Sequence, residues 1–136
     1  MGNFSSIDIS ASGLFAQRVR LDAIANNIAN ANTTRTDRGG PYRRQEVLFR
    51  AHSGGYQDAS GGVEVEGVIE SSDPPRMVRD PSHPDARPDG TVAMPNVNIV
   101  EEMVDMITAT RSYEANVQAI GAARSMSAKA LEIGRA

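Results

Sequence analysis

The sequence predicts a mainly α chain with a small β part, an α+β fold. Long N- and C-terminal helices pair as a coiled coil, with a short antiparallel β patch inserted between them. Three observations predict this. From Ile99 a single register runs through Met103, Met106, Thr110, Tyr113, Val117, Ile120, Arg124, Ser127 and Leu131, in alternating steps of four and three, the pattern of a helix that packs along another helix. Near the other terminus Ile7, Leu14, Leu21 and Ile28 recur every seven residues. Between them the chain is rich in glycine and proline, and Val63-Glu-Val-Glu-Gly67 alternates with the period of a half-exposed strand.

The first helix is expected over residues 5–32, capped by Ser5 or Ser6, with Ala11, Ile24, Ala25 and Ala31 filling the flanks of its heptad stripe. Gly13 weakens its first turns by about 1 kcal/mol relative to alanine. Its end, Ala25-Asn-Asn-Ile-Ala-Asn-Ala-Asn-Thr-Thr34, is crowded with asparagines, which compete with the helix for backbone groups. Two readings stay open: a frayed terminus, or Asn26, Asn27 and Asn30 hydrogen-bonding to neighbouring backbones in a crowded bundle.

Gly39-Gly-Pro41 breaks the chain. Tyr42 to Arg50 is strand-like, Gly54-Gly55 and Gly61-Gly62 mark turns, Val63 to Ile69 is a strand, and Met77-Val78 begins another. Asp80 to Gly90 reads as a rigid, proline-studded loop, so two to four short strands are expected. The last helix opens at Asn98 as N-cap, with Glu101 in the capping-box position. Lys129 and Gly134 mark its end. From Asn98 to Ile133 it would be about 54 Å long at ~1.5 Å per residue, too long for the core of a chain of 136 residues. Val100, Val104 and Ile107 widen its stripe, so apolar surface is left for something else to cover. The expected units are an N-terminal helix in residues 1–34, a small β-rich outer domain in 35–95, and a C-terminal helix in 96–136.

Composition narrows the function. Aromatic residues make up only 4% and tryptophan is absent, so a large self-contained core is not expected. There are no cysteines, which excludes disulfides and thiolate metal sites. Residues 1–50 carry seven arginines against four acids, whereas residues 51–136 carry seven basic residues against thirteen acids. The two halves are therefore opposite in charge. Nucleic acid is a poor partner for a chain whose longest helix opens with Glu101, Glu102 and Asp105. No apolar run is long enough for direct membrane insertion, and Met1-Gly-Asn-Phe-Ser-Ser6 has no cleavable-signal pattern.

No catalytic, cofactor or metal site is expected. His52 and His83 stand alone in loops 31 residues apart, no serine has the strained-turn setting of a nucleophile, and no glycine-rich phosphate loop is present. Glu101, Glu102 and Asp105 read as dipole and capping residues of a helix start. Arg35, Arg38, Arg43, Arg44 and Arg50 are either a solvated surface or partners, across subunits, of Glu64, Glu66, Glu70 or the Glu101 group. The candidate assembly interface comprises Leu14, Leu21, Ile24, Asn26, Asn27, Ile28 and Asn30 on the first helix. On the last helix it comprises Ile99, Met103, Ile107, Tyr113, Val117, Ile120 and Leu131.

Two of these segments are distinctive. The Asn-rich Ala25–Thr34 run resembles the N-terminal signature of the bacterial flagellar rod and hook family. Ala93-Met-Pro-Asn-Val-Asn-Ile-Val-Glu-Glu-Met-Val-Asp-Met-Ile107, with Arg111-Ser-Tyr-Glu-Ala-Asn116 and Lys129-Ala-Leu-Glu-Ile133, resembles the C-terminal signature of its proximal-rod members. Gly39-Gly-Pro-Tyr-Arg-Arg44 and Asp80-Pro-Ser-His-Pro-Asp-Ala86 extend the resemblance over nearly the whole chain, with Ala86 to Asp89 as a local departure. The resemblance implies a non-catalytic periplasmic subunit, with paired terminal helices inside a torque-bearing tube and a β domain outside. It implies export through the flagellar type III apparatus without signal cleavage. The implied partners are copies of the chain, other flagellar rod proteins and the MS-ring/rod adaptor. The alternatives are another axial rod or hook subunit, a soluble helical adaptor, and a wall-cleaving enzyme.

Overall fold

The computed structural model describes residues 2–52 and 61–135, with side chains from Ser6 onward; the turn expected at Gly54-Gly55 lies outside the described residues. The order is α1 (Gly2–Ala29), β1 (Gln45–Ala51), β2 (Val63–Glu70), β3 (Arg76–Arg79), β4 (Thr91–Met94) and α2 (Ile99–Arg135). The α+β class is as the sequence predicts. Helix α1 already runs through Ser5 and Ser6, so neither caps it, and α2 continues through Gly134. Asn98 does cap α2: its Oδ1 accepts from the Val100 N–H at 3.1 Å.

The two helices pack together antiparallel, Gly13 of α1 lying beside Asn116 of α2 and Asn27 beside Glu102. The face of α2 that this pairing covers takes in only Met106, Ile120 and Ser127 of the predicted seam, each half-buried; the other seam positions lie outside it. Its most buried residues are Glu102, Ala109 and Ala123, with Ser112, Asn116, Ile120 and Ser127 half-buried between and beyond them. On α1 the buried positions are Ala16, Ala23, Ile24, Asn27 and Ala31. Small side chains on both faces let the backbones approach closely, since interhelical distance is set by what stands at the contact. Gly13 shows how close: a Cβ there would lie 2.8 Å from the Asn116 amide nitrogen. The glycine that weakens the helix on paper is the one that lets its partner in.

The strands form two separate two-stranded antiparallel sheets, β1 with β2 and β3 with β4. Strand β4, absent from the sequence reading, pairs Thr91–Met94 with β3 in the register Arg79↔Thr91 to Arg76↔Met94. In the first sheet the register shifts between Leu48 and Phe49, which face Gly67 and Val65. Glu66 is thus the extra residue of a bulge, where it pairs with Arg50. This hairpin lies along α1. Asn27 binds the backbone of Gln45 at one end, and Ser12 Oγ accepts from the Val63 N–H at 3.1 Å at the other. Gly62, at φ 149°, allows that second contact, because a Cβ there would sit 2.7 Å from Ser12 Oγ.

The Asp80–Gly90 loop closes the second hairpin through local side-chain bonds. Asp80 accepts from the Ser82 hydroxyl, Asp89 from the Thr91 hydroxyl, and His83 Nδ1 from the Asp85 N–H. Asp85 also accepts from Thr34 and pairs with Arg35, tying the loop to the chain leaving α1. The hydroxyl bonds from Ser82, Thr34 and Thr91 are the main cause holding Asp80, Asp85 and Asp89 below the ordinary carboxylate pKa of 3.8.

The two helical glycines should respond differently to alanine. Gly121 has open space around it, so Gly121→Ala should raise the unfolding free energy of the purified chain by about 0.5–1 kcal/mol from helix propensity. Gly13→Ala should show no such gain, because Asn116 must move aside; equal gains in urea unfolding would contradict the close approach. A folded-state pKa below the unfolded value contributes stability that is complete above pH 3.8 and lost as pH falls through the lower folded value. NMR titration of Asp80, Asp85 and Asp89 should therefore give midpoints below 3.8, and midpoints at or above it would refute the loop bonding.

Candidate assembly surface

Where α1, β1 and α2 meet, a buried polar cluster fixes their relative positions. Asn27 and Glu102 are each 1% exposed. The Asn27 amide uses its full hydrogen-bonding capacity. Its Nδ2 donates to the Gln45 carbonyl at 2.9 Å and to Glu102 Oε2 at 3.1 Å; its Oδ1 accepts from the Gln45 N–H at 2.8 Å and the Tyr42 hydroxyl at 2.9 Å. An amide has two donors and two acceptor sites, and no other uncharged side chain of this size could bond these four groups at once. Glu102 Oε1 in turn accepts from Arg44 Nε, and the Arg44 guanidinium also reaches Glu46 and, at 3.8 Å, Asp105. Arg20 of α1 adds a contact to Asp105 at 3.7 Å.

Burial works against the Arg44 charge, but the hydrogen bond to Glu102 and the carboxylates of Glu102, Glu46 and Asp105 outweigh it and raise its pKa above the ordinary value. Burial first, then the charges of Glu102 and Glu70, push the Tyr42 phenol up as well, so it remains a donor to Asn27. Within the Asn-rich run, the amide of Asn27 does bind a neighbouring backbone. Asn30 instead bonds locally to the Asn26 carbonyl and accepts from Thr33, and Asn26 is exposed. Glu102, read from sequence as a helix-dipole residue, is the buried centre of an ion pair. No local signal marks it, because Arg44 lies beside Arg43 and Glu46, and Glu102 beside Glu101, in polar stretches of sequence. Sequence spacing gives no way to see that residues 58 apart meet.

The arginine cluster also resolves differently from the cross-subunit expectation. Arg38 pairs with Glu70, Arg50 with Glu66, Arg35 with Asp85 and Arg44 with Glu102, all within the chain. These pairs hold the outer strands and loops to each other, and the exposed ones contribute little energy. Among the described residues Arg43 has no ion pair and is exposed.

Most of the predicted seam of α2 is on the outside, Met106, Ile120 and Ser127 being half-buried. Ile99, Met103, Ile107, Tyr113, Val117 and Leu131 are all exposed, joined by Val100 at 69% and Val104. At ~100° per residue, Val100, Val104 and Ile107 lie on the side of α2 nearly opposite Glu102 and Ala109, with Met103 on the flank. The first turns of α2 are therefore apolar away from α1 and buried against it, the pattern of a helix meant to be covered on two sides. Of the other predicted interface residues, Leu14, Leu21, Ile28 and Ile120 are half-buried beside the α1–α2 contact, and Ile24 and Asn27 are buried inside the chain. Exposed apolar area this contiguous marks an interaction surface. No group of three or more His, Asp or Glu able to hold a metal occurs among the described residues, and no described helix is long and apolar enough to cross a membrane.

Two paired terminal helices with an exposed apolar seam, and small sheets carried on the side, define a subunit of the flagellar axial type. The comparisons agree with that class. Residues 7–35 match the flagella basal body rod protein family, and residues 89–133 match the C-terminal family of flagellar basal body rod FlgEFG proteins. Over nearly the full length, the chain is 45% identical to the flagellar basal-body rod protein FlgC of Borreliella burgdorferi, with 98% of each chain covered. It is 41% identical to that of Bacillus subtilis and 42% to that of Salmonella typhimurium, covering 99% of this chain and all of each relative. The chain belongs to the flagellar basal-body rod protein FlgC family; it is a structural rod subunit and not an enzyme.

The buried cluster predicts a specific mutational pattern. Arg44→Met leaves the Glu102 charge buried without its partner and should lower stability by about 3 kcal/mol, the lower end for breaking a buried ion pair. Adding Glu102→Gln should restore part of the loss. Urea unfolding of the two single variants and the double variant checks it; strictly additive losses would refute the coupling.

Proposed function

We propose that this chain is a proximal-rod subunit whose own fold leaves the apolar face of α2 open so that neighbouring subunits complete it. The single observation that carries the reading is the reversal on α2. Alanines, serines and the Glu102 pair face α1, while Val100, Met103, Val104, Ile107, Val117 and Leu131 face outward. A chain that used its best hydrophobic residues internally would be a soluble helical adaptor. This one keeps them for contacts with copies of itself and with other flagellar rod proteins.

Burying each of these side chains contributes about 1.5–3 kcal/mol, against the entropy of ordering both helix ends. Final ordering of the helix ends is on this reading coupled to assembly, and a chain held together by a narrow small-residue contact is readily unfolded for passage through the type III export apparatus. The helices of residues 1–34 and 96–136 would form a coiled-coil tube wall and residues 35–95 its outer part. The MS-ring/rod adaptor would lie at one end, and closed helix contacts would carry motor torque. The reading is favoured over the wall-cleaving alternative by the Glu101–Asp105 carboxylates themselves: Glu102 and Asp105 are consumed by Arg44 and Arg20.

Val117→Asp tests it. Val117 is 48% exposed, so the isolated chain should keep its unfolding free energy within the roughly ±0.5 kcal/mol of a surface change, while rods and swimming are lost. Wild-type motility, or a purified chain that sediments as a small closed oligomer with these residues protected, would overturn the reading.

A further inference from the structure

The β3–β4 hairpin closes on the only place in the chain where an aspartate or asparagine precedes glycine, Asp89-Gly90. Such a pair is chemically weak. With no side chain on the following residue, its backbone nitrogen can reach the aspartate Cγ and close a five-membered ring. The fold cannot remove the hazard by replacing the glycine. Gly90 stands at φ 79°, and a Cβ there would lie 3.3 Å from Pro81 Cγ, so a side chain is disfavoured on both counts.

The same loop restrains the reacting atoms. Arg87-Pro-Asp-Gly90 is a reverse turn in which the Gly90 N–H donates to the Arg87 carbonyl at 2.8 Å. The nitrogen that would attack therefore has its proton held in a hydrogen bond. Asp89 Oδ1 accepts from the Thr91 hydroxyl at 2.7 Å and from the Thr91 N–H at 3.0 Å. These bonds, the hydroxyl first, hold the carboxyl ionised to below its ordinary range, whereas ring formation needs the neutral acid. The turn is also clamped on both sides. The Asp80 N–H donates to the Gly90 carbonyl at 3.0 Å, and the Arg87 N–H to the Thr91 carbonyl at 2.8 Å.

We propose that Asp89-Gly90 is a site of spontaneous isomerisation to isoaspartate, blocked in the folded chain by the Thr91 and Arg87 bonds and free to react in the unfolded chain. The Gly90 nitrogen attacks the protonated Asp89 carboxyl. The N–Cγ bond forms, the C–OH bond breaks, and the hydroxyl leaves with the amide proton as water. A second water then adds to the Asp89 backbone carbonyl of the ring and breaks its bond to nitrogen, its hydroxyl staying on carbon and its proton passing to nitrogen. The net change is an isomerisation. The main chain now runs through the former side chain, with one extra methylene between residues 89 and 90. Thr91 can then no longer sit opposite Arg79 while Asp80 still meets Gly90. The next residue, Val92, is 1% exposed, so the lesion reaches the core of the chain.

The purified full chain is held in one warm, mildly acidic buffer, folded without denaturant and unfolded in guanidinium chloride. Isoaspartate is located by electron-transfer fragmentation of its peptides. In the unfolded chain, position 89 should react faster than every other aspartate and asparagine. A loop whose opening costs ~1.4 kcal/mol is open about one-tenth of the time, so the folded chain should react at least about tenfold more slowly. Thr91→Val, which removes the hydroxyl donor and keeps the side-chain shape, should speed the reaction in the folded chain and leave the unfolded rate unchanged. Isomerised chain, separated and refolded, should unfold at lower urea than intact chain. Equal rates in the folded and unfolded wild type would overturn the proposal, and that comparison needs no variant to fold. A faster site elsewhere in the unfolded chain, or an isomerised chain as stable as the intact one, would also overturn it. All these outcomes leave the rod reading untouched.

Discussion

The fold depends on one buried exchange of hydrogen bonds, in which Asn27 joins α1 to the first residue of β1 and to Glu102 of α2, and Glu102 holds Arg44. Little else could fix the relation between these elements. The helices meet largely through small residues, alanine, serine and glycine, with few large apolar side chains such as Ile24 to lock them, and each sheet has only two strands, which seldom hold together alone in water. A polar cluster with every group satisfied has a single acceptable geometry, because any shift leaves a buried group without a partner. Its contribution is therefore register more than energy. A buried ion pair is an expensive way to add stability but an effective way to set which turn of α2 faces which turn of α1.

Once that register is set, the rest of α2 has no choice of face. The turn carrying Glu102 must point inward, so the valine, methionine and isoleucine side chains around it point outward. Evolution of a self-sufficient domain would have placed those residues against α1. Here the inner face is made mainly of small residues that bring the helices close, with Glu102, Asn116 and Ile120 among them, and most of the large apolar residues lie on the outer face and remain uncovered. The same division explains why Gly13 is a contact residue and Gly121 is not: the first faces Asn116 across the helix pair, and the second faces open space.

The outer strands follow a different logic. Arg38, Arg50 and Arg35 pair with Glu70, Glu66 and Asp85 inside the chain, so the opposite charges of the two halves are spent largely within one subunit. Ser12 and Asn27 hold the β1–β2 hairpin along α1 at two separated points, and the β3–β4 loop is tied to the chain leaving α1 through Asp85. Each outer element is thus referenced to α1, and the helix pair acts as the frame for both.

Local chemistry made much of this legible in the residues. The heptads of Ile7–Ile28 and Ile99–Leu131, the Asn98 cap, and the alternation at Val63–Gly67 depend on neighbours within a few positions, and both helices and β2 stand where these signals put them. Strand β4 was not legible, because Thr91–Met94 is too short to show a period and becomes a strand only by pairing with β3. Nor was the inward face of α2: a heptad shows that one side of a helix is apolar and does not say whether that side meets its own chain or another. Contacts across 75 residues, such as Asn27 with Glu102, exist only once the backbone brings the two together. The sequence by itself determined which segments are helical and which side chains seek cover. Only the tertiary structure decided which face the chain covers for itself, because that choice was made by the one arrangement in which Asn27, Glu102 and Arg44 are all satisfied.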